Sequence, residues 1–394
     1  VNLDPNTCLP AEWRTANLVG RAWVPGAAPG PALVAIRPDG VYDVSAAAPT
    51  CTDLCNLPDP VQVLRATPGT RVGGVEEVLA NSACDRASPA VPHFLAPCDL
   101  QPVKAAGVTF VRSLLERVVE ERARGDWSKA DEIRARISRD IGADLARVKP
   151  GSREAARLKE ALVAMGLWSQ YLEVGIGPDA EIFTKAAPMS AVGTGAEIGL
   201  HPASQWNNPE PELVLVLNAR GAIVGVTLGN DVNLRDFEGR SALLLGRSKD
   251  NNASCAIGPF IRLFDGTFTL DRARSLVIAL TVAGTDGFVL RGTSSIAEIS
   301  RDLADLAAQA IGATHQHPDG LVLFTGTLFA PTEDRGAPGM GFTHKVGDIV
   351  TIAAPELGAL VNRVTTSDRA PPWTYGTAAL MRHLAARGLL GAPR

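Results

Sequence analysis

The chain has no excess of positive charge: 38 lysines and arginines stand against 42 acids in 394 residues, for a formal net charge of −4. That balance excludes the basic footprint of a nucleic-acid binder or of a protein held on anionic lipid. Long hydrophobic runs are missing as well. The greasiest stretch, Leu276 to Ala283, has the length of a strand and is too short to cross a bilayer. Cysteine is scarce, with six residues at 8, 51, 55, 84, 98 and 255 and no Cys-x-x-Cys pair among them. Val1 to Arg14 lacks a basic head followed by an apolar segment, so no secretory signal is expected, and the missing initiator Met suggests numbering from a trimmed end. These features predict reduced, mostly buried thiols and a cytoplasmic location rather than a disulfide framework. A dinucleotide fingerprint is absent too: Gly193, Gly195 and Gly199 do not follow a strand and open a helix at the required spacing, and read as turn glycines.

What is present is a chain that is 46% apolar and long enough for two domains. Residues 1–100 are rich in Pro, Gly and Ala, with short strand-like pieces and little helical periodicity, and predict a small, loop-rich β domain. Composition changes near Pro97 to Pro102, so a second, larger unit is expected over residues 101–394. It opens with helices. Val111, Leu114, Leu115, Val118 and Val119 follow helical spacing, residues 126–148 form a second charged amphipathic stretch, and Ser152 and Gly166 bracket a further helix as N-cap and C′ residues.

The densest chemistry lies between Pro209 and Pro259. Leu213 to Leu217 and Ala222 to Leu228 are short apolar runs joined by Asn-Ala-Arg-Gly, the composition of a β-hairpin. Because strand side chains alternate, Glu210 and Glu212 emerge on one face. A turn centred between Ala219 and Arg220 sets Glu212 opposite Thr227 and Glu210 opposite Gly229, with Asp231 diagonal to Glu210. Three carboxylates so close repel unless a cation or added protons compensate them. All-oxygen ligation without His or Cys favours Mg²⁺, with Mn²⁺ or Ca²⁺ as substitutes, over Zn²⁺. Taken alone, the three acids also fit an ordinary solvated strand end.

The run GNDVNLRD followed by SKDNNASCAIGP resembles the fumarylacetoacetate hydrolase superfamily, whose members carry Glu-x-Glu, then NDxSxRD, then GKxxDxxxxLGP. A Thr-Gly-Thr turn in LVLFTGTLFAPTEDR and the segment HKVGDIVTIAAPELGALVNRV are similar to the superfamily's closing motifs, so the resemblance spans about Leu167 to Val364. It implies an α+β, predominantly β fold, a mixed β-sandwich roll with a smaller N-terminal domain. It also implies Glu210, Glu212 and Asp231 as metal ligands, Arg235 and Lys249 as active-site cations, and Lys185, Ser190, Gly326 and Thr327 as substrate-binding residues, the Thr-Gly-Thr turn at the substrate carboxylate. Where hydrolases of the superfamily carry His-x-x-Glu, this chain has Gln170 and Glu173, which leaves Glu173 as the general base of that element.

The missing histidine and the variant lysine motif favour the sugar-acid dehydratase branch. The implied reaction is metal-dependent dehydration of a 2-keto-3-deoxypentonate (2-keto-3-deoxy-xylonate or arabinonate) to 2-oxoglutarate semialdehyde, through an enolate that the ion stabilises, in pentose catabolism. A hydrolase that cleaves a C–C bond of an acylpyruvate or diketo-deoxy sugar acid is the enzymatic alternative, and a noncatalytic 2-oxo acid binder the alternative of another class. The expected partners are a small-molecule 2-oxo sugar acid and further copies of the chain, in a homodimer or higher homo-oligomer, with neither nucleic acid nor membrane.

Overall fold

In the computed structural model, residues 1–124, 126–135, 148–166, 168–327, 329, 331, 333–335 and 341–391 are described. Of the charged stretch expected over 126–148, residues 136–147 lie outside the described residues.

Two large sheets organise the described residues. An eleven-stranded sheet runs in the order Thr70–Gly73, Gly40–Asp43, Gly30–Arg37, Leu18–Val24, Cys255–Leu263, Ile223–Asp231, Pro211–Leu217, Leu321–Phe324, Val103–Gly107, Glu181–Ala186, with His93–Leu95 pairing off Leu18–Val24. A five-stranded sheet runs Val289–Ser295, Val277–Ala283, Ile349–Ala354, Gly358–Thr366, Glu197–Leu200. The strands expected around the boundary near residue 100 belong to one sheet, since Leu18 and Val19 pair with Arg262 and Ile261. The N-terminal region is less loop-rich than its composition suggests. Helices Pro5–Cys8, Cys51–Asn56, Pro60–Ala66 and Val75–Ser82 lie within it, too short for periodicity to reveal.

Strand Pro211–Leu217 is central and wholly buried, and its alternation separates core from site. Leu213, Leu215 and Leu217 join Val226 and Leu228 in a core shared with Ile278, Leu280 and Val282 of the second sheet. Val214 faces the other way and packs with Val322, Phe324 and Ile257. Glu210 and Glu212 share the parity of Val214, so the acids emerge on the face turned away from the sandwich core.

The hairpin register differs from the expected one by two residues. Glu212 pairs with Gly229 and Leu213 with Leu228, and the Asp231 N–H donates to the Glu210 carbonyl. The reversal is longer than a tight turn: a bulge at Val216/Leu217 precedes it, and the Asn218 side chain accepts from the N–H groups of Arg220 and Ala222. A shift of two preserves the face of every side chain, whereas a shift of one would have sent the acids into the core.

Elsewhere, Thr267 to Thr269 leads into helix Leu270–Arg274, with the Thr269 side chain accepting from the Arg272 N–H. Ser152 caps helix Arg153–Ala164, and Gly166 follows with φ +69°. The apolar spacing at 111–119 becomes helix Val111–Ala123, which lies against the acid face through Ser113 and Arg117.

Candidate functional site

Glu210, at the entry of Pro211–Leu217, Glu212 within it and Asp231 at the end of Ile223–Asp231 are all buried. Each offers a carboxylate oxygen within 4.8 Å of those of the other two. They line a narrow cleft of about 20 Å³ with Ala106, Gly107, Ser113, Arg117, Glu181, Phe183, Glu238, Lys249, Gly326 and Thr327. The expected triad is thus brought together, and Asp231 lies directly opposite Glu210 rather than diagonal to it.

Cations surround the triad. Lys249 Nζ is 2.5 Å from Glu210 Oε2 and 3.3 Å from Asp231 Oδ2. Lys185 Nζ, fully buried, is 2.9 Å from Asp231 Oδ1 and also donates to the carbonyls of Val232 and Lys249. Arg117 donates to Glu210 Oε1, to Glu120 Oε2 at 2.6 Å, and lies 3.1 Å from Glu238 Oε2. Arg235 Nε sits 3.0 Å from Glu120 Oε1, so Arg235 reaches the triad through Glu120 and Arg117.

The electrostatics follow from burial and these contacts. Burial, with Asp231 and Glu210 nearby, pushes the Glu212 carboxyl well above its ordinary value, although the Gly326 N–H donates to it at 2.6 Å. Burial also acts to raise Asp231, but Lys185 and Lys249 outweigh it and hold Asp231 below the usual carboxylate range. Lys249 is kept protonated: burial opposes its charge, and Asp231 and Glu210 more than offset that. Glu238 is raised to about 7 and Glu181 is raised as well, both chiefly by burial.

Six acids (Glu120, Glu181, Glu210, Glu212, Asp231, Glu238) face four cations (Arg117, Lys185, Arg235, Lys249). Fully ionised, the cluster carries a net charge of two negatives, which one divalent cation would neutralise. The donor set is all oxygen and preassembled, so these residues fit a hard divalent ion held by Glu210, Glu212 and Asp231.

The other expected residues divide. Lys249, Gly326 and Thr327 line the cleft. The Gly326 N–H is already committed to Glu212, which changes the part expected of the turn: it orients a triad acid instead of leaving that donor free for an anion. Gly326 has φ +88°, and a Cβ there would meet Thr109 Oγ1 at 2.0 Å, so glycine is required. Lys185 does not line the cleft; it braces Asp231 from outside it, so the expected substrate contact is corrected to a positioning one. Arg235 likewise acts through Glu120.

Ser190 is elsewhere, donating to the Ala187 carbonyl and lining a separate cavity with Trp23, His93, Met189 and Tyr375. Glu173 is also outside the cleft. Its side chain is 43% exposed and paired with Lys159 at 2.5 Å, because helix Gln170–Ile176 turns Tyr171 and Leu172 inward and leaves Glu173 towards Arg153–Ala164.

Sequence reasoning missed Glu181, Arg117, Glu120 and Glu238. Glu181 opens strand Glu181–Ala186, whose period-two pattern places it on the face of Phe183 and Lys185, a signal the sequence did contain. Arg117 and Glu120, three apart on a helix, carry no sequence pattern that sets them apart from the other charges of that helix.

The profile described as Fumarylacetoacetate (FAA) hydrolase C-terminal matches residues 159–365. The chain is 34% identical over 184 residues to the 2-dehydro-3-deoxy-D-arabinonate dehydratase of Saccharolobus solfataricus, an alignment covering 47% of this chain and 58% of that protein. It is 32% identical over 196 residues to a probable 2-keto-3-deoxyxylonate dehydratase of Haloferax volcanii, covering 50% and 64%. The chain therefore spans about three-fifths of the length of these curated relatives. Its fold is like that of a solved 2-keto-3-deoxy-D-arabinonate dehydratase complexed with magnesium and 2,5-dioxopentanoate, at a TM-score of 0.61 and 23% identity over 89% of this chain and 99% of that one. With more than half of its residues inside the matching profile, the chain belongs to the fumarylacetoacetate hydrolase family.

Proposed function

We propose that this chain is a lyase that removes water from a 2-keto-3-deoxypentonate to give 2-oxoglutarate semialdehyde. The observation that carries the reading is the convergence of three buried carboxylates, the Lys249 ammonium and the Glu181 carboxyl in one cleft. The two curated relatives named as pentonate dehydratases support it.

A divalent ion held by Glu210, Glu212 and Asp231, Mg²⁺ with Mn²⁺ or Ca²⁺ as substitutes, would supply Lewis-acid chemistry that acidifies the C3 protons of a 2-oxo acid. Glu181 then replaces Glu173 as the base. Its carboxylate takes a C3 proton, and its raised pKa brings its proton affinity closer to that needed at neutral pH. The electron pair of the C–H bond becomes the C3–C4 double bond as the C4–O bond breaks. The departing hydroxyl leaves as water on taking a proton from the Lys249 ammonium. Moving a C5 proton to C3 and tautomerising the resulting C5 enol gives the aldehyde without further loss of atoms.

The described residues lining the cleft include no histidine, and Gln170 is exposed on its helix, which favours elimination over attack by a histidine-activated water. We extend the reading to an assembly of at least two copies, to be checked by sedimentation of the active protein, and to a cytoplasmic setting. Among the described residues no helix is long and apolar enough to cross a membrane.

The deciding experiment incubates purified protein with 2-keto-3-deoxypentonates and with acylpyruvates, in Mg²⁺ and then in chelator, and identifies products by mass. A chelator-sensitive loss of one water supports the proposal. Shortened carbon skeletons would replace it with hydrolysis, and metal-dependent binding without product would leave a 2-oxo acid binder.

A further inference from the structure

We propose that Arg117 holds the carboxylate of the substrate and so sets the requirement for an acid rather than any 2-oxo compound. This rests on the reading of the cleft as a 2-oxo acid site. Arg117 comes from helix Val111–Ala123, ahead of the span 159–365 that the family profile covers. It lines the cleft beside Glu210, with Ser113 one turn earlier on the same helix face.

Among the lining groups, the other obvious donors are committed. The Gly326 N–H donates to Glu212, the Thr327 hydroxyl donates to the Phe329 carbonyl at 3.5 Å, and the Lys249 ammonium is shared by Glu210 and Asp231. Arg117 is committed only in part. One terminal nitrogen faces Glu120 and Glu238 and the other donates to Glu210, which leaves the Nε–H and one terminal hydrogen without a protein partner among the described residues.

A guanidinium is suited to the task because its planar fork matches a carboxylate and its charge survives burial. Three acids around it fix its plane. A ligand that brings its own carboxylate next to the triad would meet repulsion there unless a cation faced it, and of the two cations beside Glu210, Lys249 is shared between triad acids while Arg117 keeps donors to spare.

The test uses the full chain loaded with Mn²⁺ and follows pyruvate and its uncharged analogue pyruvamide by titration calorimetry and thermal melting. In Arg117→Gln, pyruvate affinity should fall about 10- to 100-fold while pyruvamide affinity stays the same, and Arg117→Lys should fall between. Mn²⁺ affinity without ligand should be unchanged or tighter, since Glu210 loses a competing cation. Equal losses for both ligands, or none, would overturn the proposal. If Arg117→Gln does not fold, wild type must prefer pyruvate to pyruvamide by a comparable factor and Arg117→Lys must narrow that ratio; a wild type that binds the two alike overturns it. Pyruvate binding that depends on Arg117 without turnover of any sugar acid would sink the dehydratase reading and leave this inference standing, and turnover with Arg117-independent pyruvate binding would do the reverse.

Discussion

Lys185, which does not line the cleft, places Nζ 2.9 Å from Oδ1 of Asp231, which does, and both side chains are buried. The pair joins the strand Glu181–Ala186 to the end of Ile223–Asp231 on the acid face of the sheet. Removing the cation leaves a buried carboxylate short of its partner. Lys185→Met should destabilise the metal-free protein by about 3–5 kcal/mol in urea unfolding. The double variant Lys185→Met/Asp231→Asn should lose less than the two single variants added together, and strict additivity would show that the pair is not coupled.

The triad should respond to a hard divalent ion in the thermal melt. Mg²⁺ at a hundredfold excess over its Kd should add about 2.7 kcal/mol of stability, and Glu212→Gln or Asp231→Asn should abolish most of that gain. A melt in which EDTA and Mg²⁺ give the same curve, at any Mg²⁺ concentration, would count against the site.

Glu181 and Glu173 make opposite predictions as general base. Glu181→Gln should lower kcat by about 10²- to 10⁴-fold while pyruvate still stabilises the metal-loaded protein. Since burial raises the Glu181 carboxyl above its ordinary value, the acid limb of the wild-type rate profile should lie above the usual glutamate range. Glu173→Ala removes only a half-exposed ion pair with Lys159, and should leave kcat unchanged and shift stability by less than about 1 kcal/mol. A large loss of kcat in Glu173→Ala would restore it to the reaction.

Glu238 gives a stability signature with a definite sign. Its carboxyl is raised from 4.5 to about 7 in the folded, metal-free protein, chiefly by burial. Below the ordinary value both folded and unfolded chains hold the proton, and its contribution does not change. Between the two values the unfolded chain gives up its proton while the folded one keeps it, so stability falls as pH rises, by roughly 3 kcal/mol in all. Above about 7 the loss is complete. Urea unfolding from pH 4 to 8, about this window, should show that decline in wild type and a flatter curve in Glu238→Gln.

How much of this was legible depends on how far apart in the chain the contacts lie. Glu210, Glu212 and Asp231 sit on one hairpin, where period-two alternation fixes the face even though the loop from Asn218 to Ala222 moved the register by two. Helix Arg153–Ala164 was readable from its own Ser152 cap. Arg117 and Glu120 were not, because they gain their partners only when Val111–Ala123 folds over strands about a hundred residues away in sequence. Glu173 failed for the complementary reason: its place in a motif was matched, but the direction its short helix faces is decided by the packing of Tyr171 and Leu172.

The pairing of Leu18 and Val19 with Ile261 and Arg262 has a consequence for anyone trimming the chain. Every side chain of Cys255–Leu263 is buried, and deleting residues 1–100 would strip one flank of that strand of its neighbour. A naked apolar edge invites strand addition from another molecule, so the shortened protein should precipitate rather than persist as a minimal enzyme. The first hundred residues thus serve as a guard against self-association as much as they serve the fold.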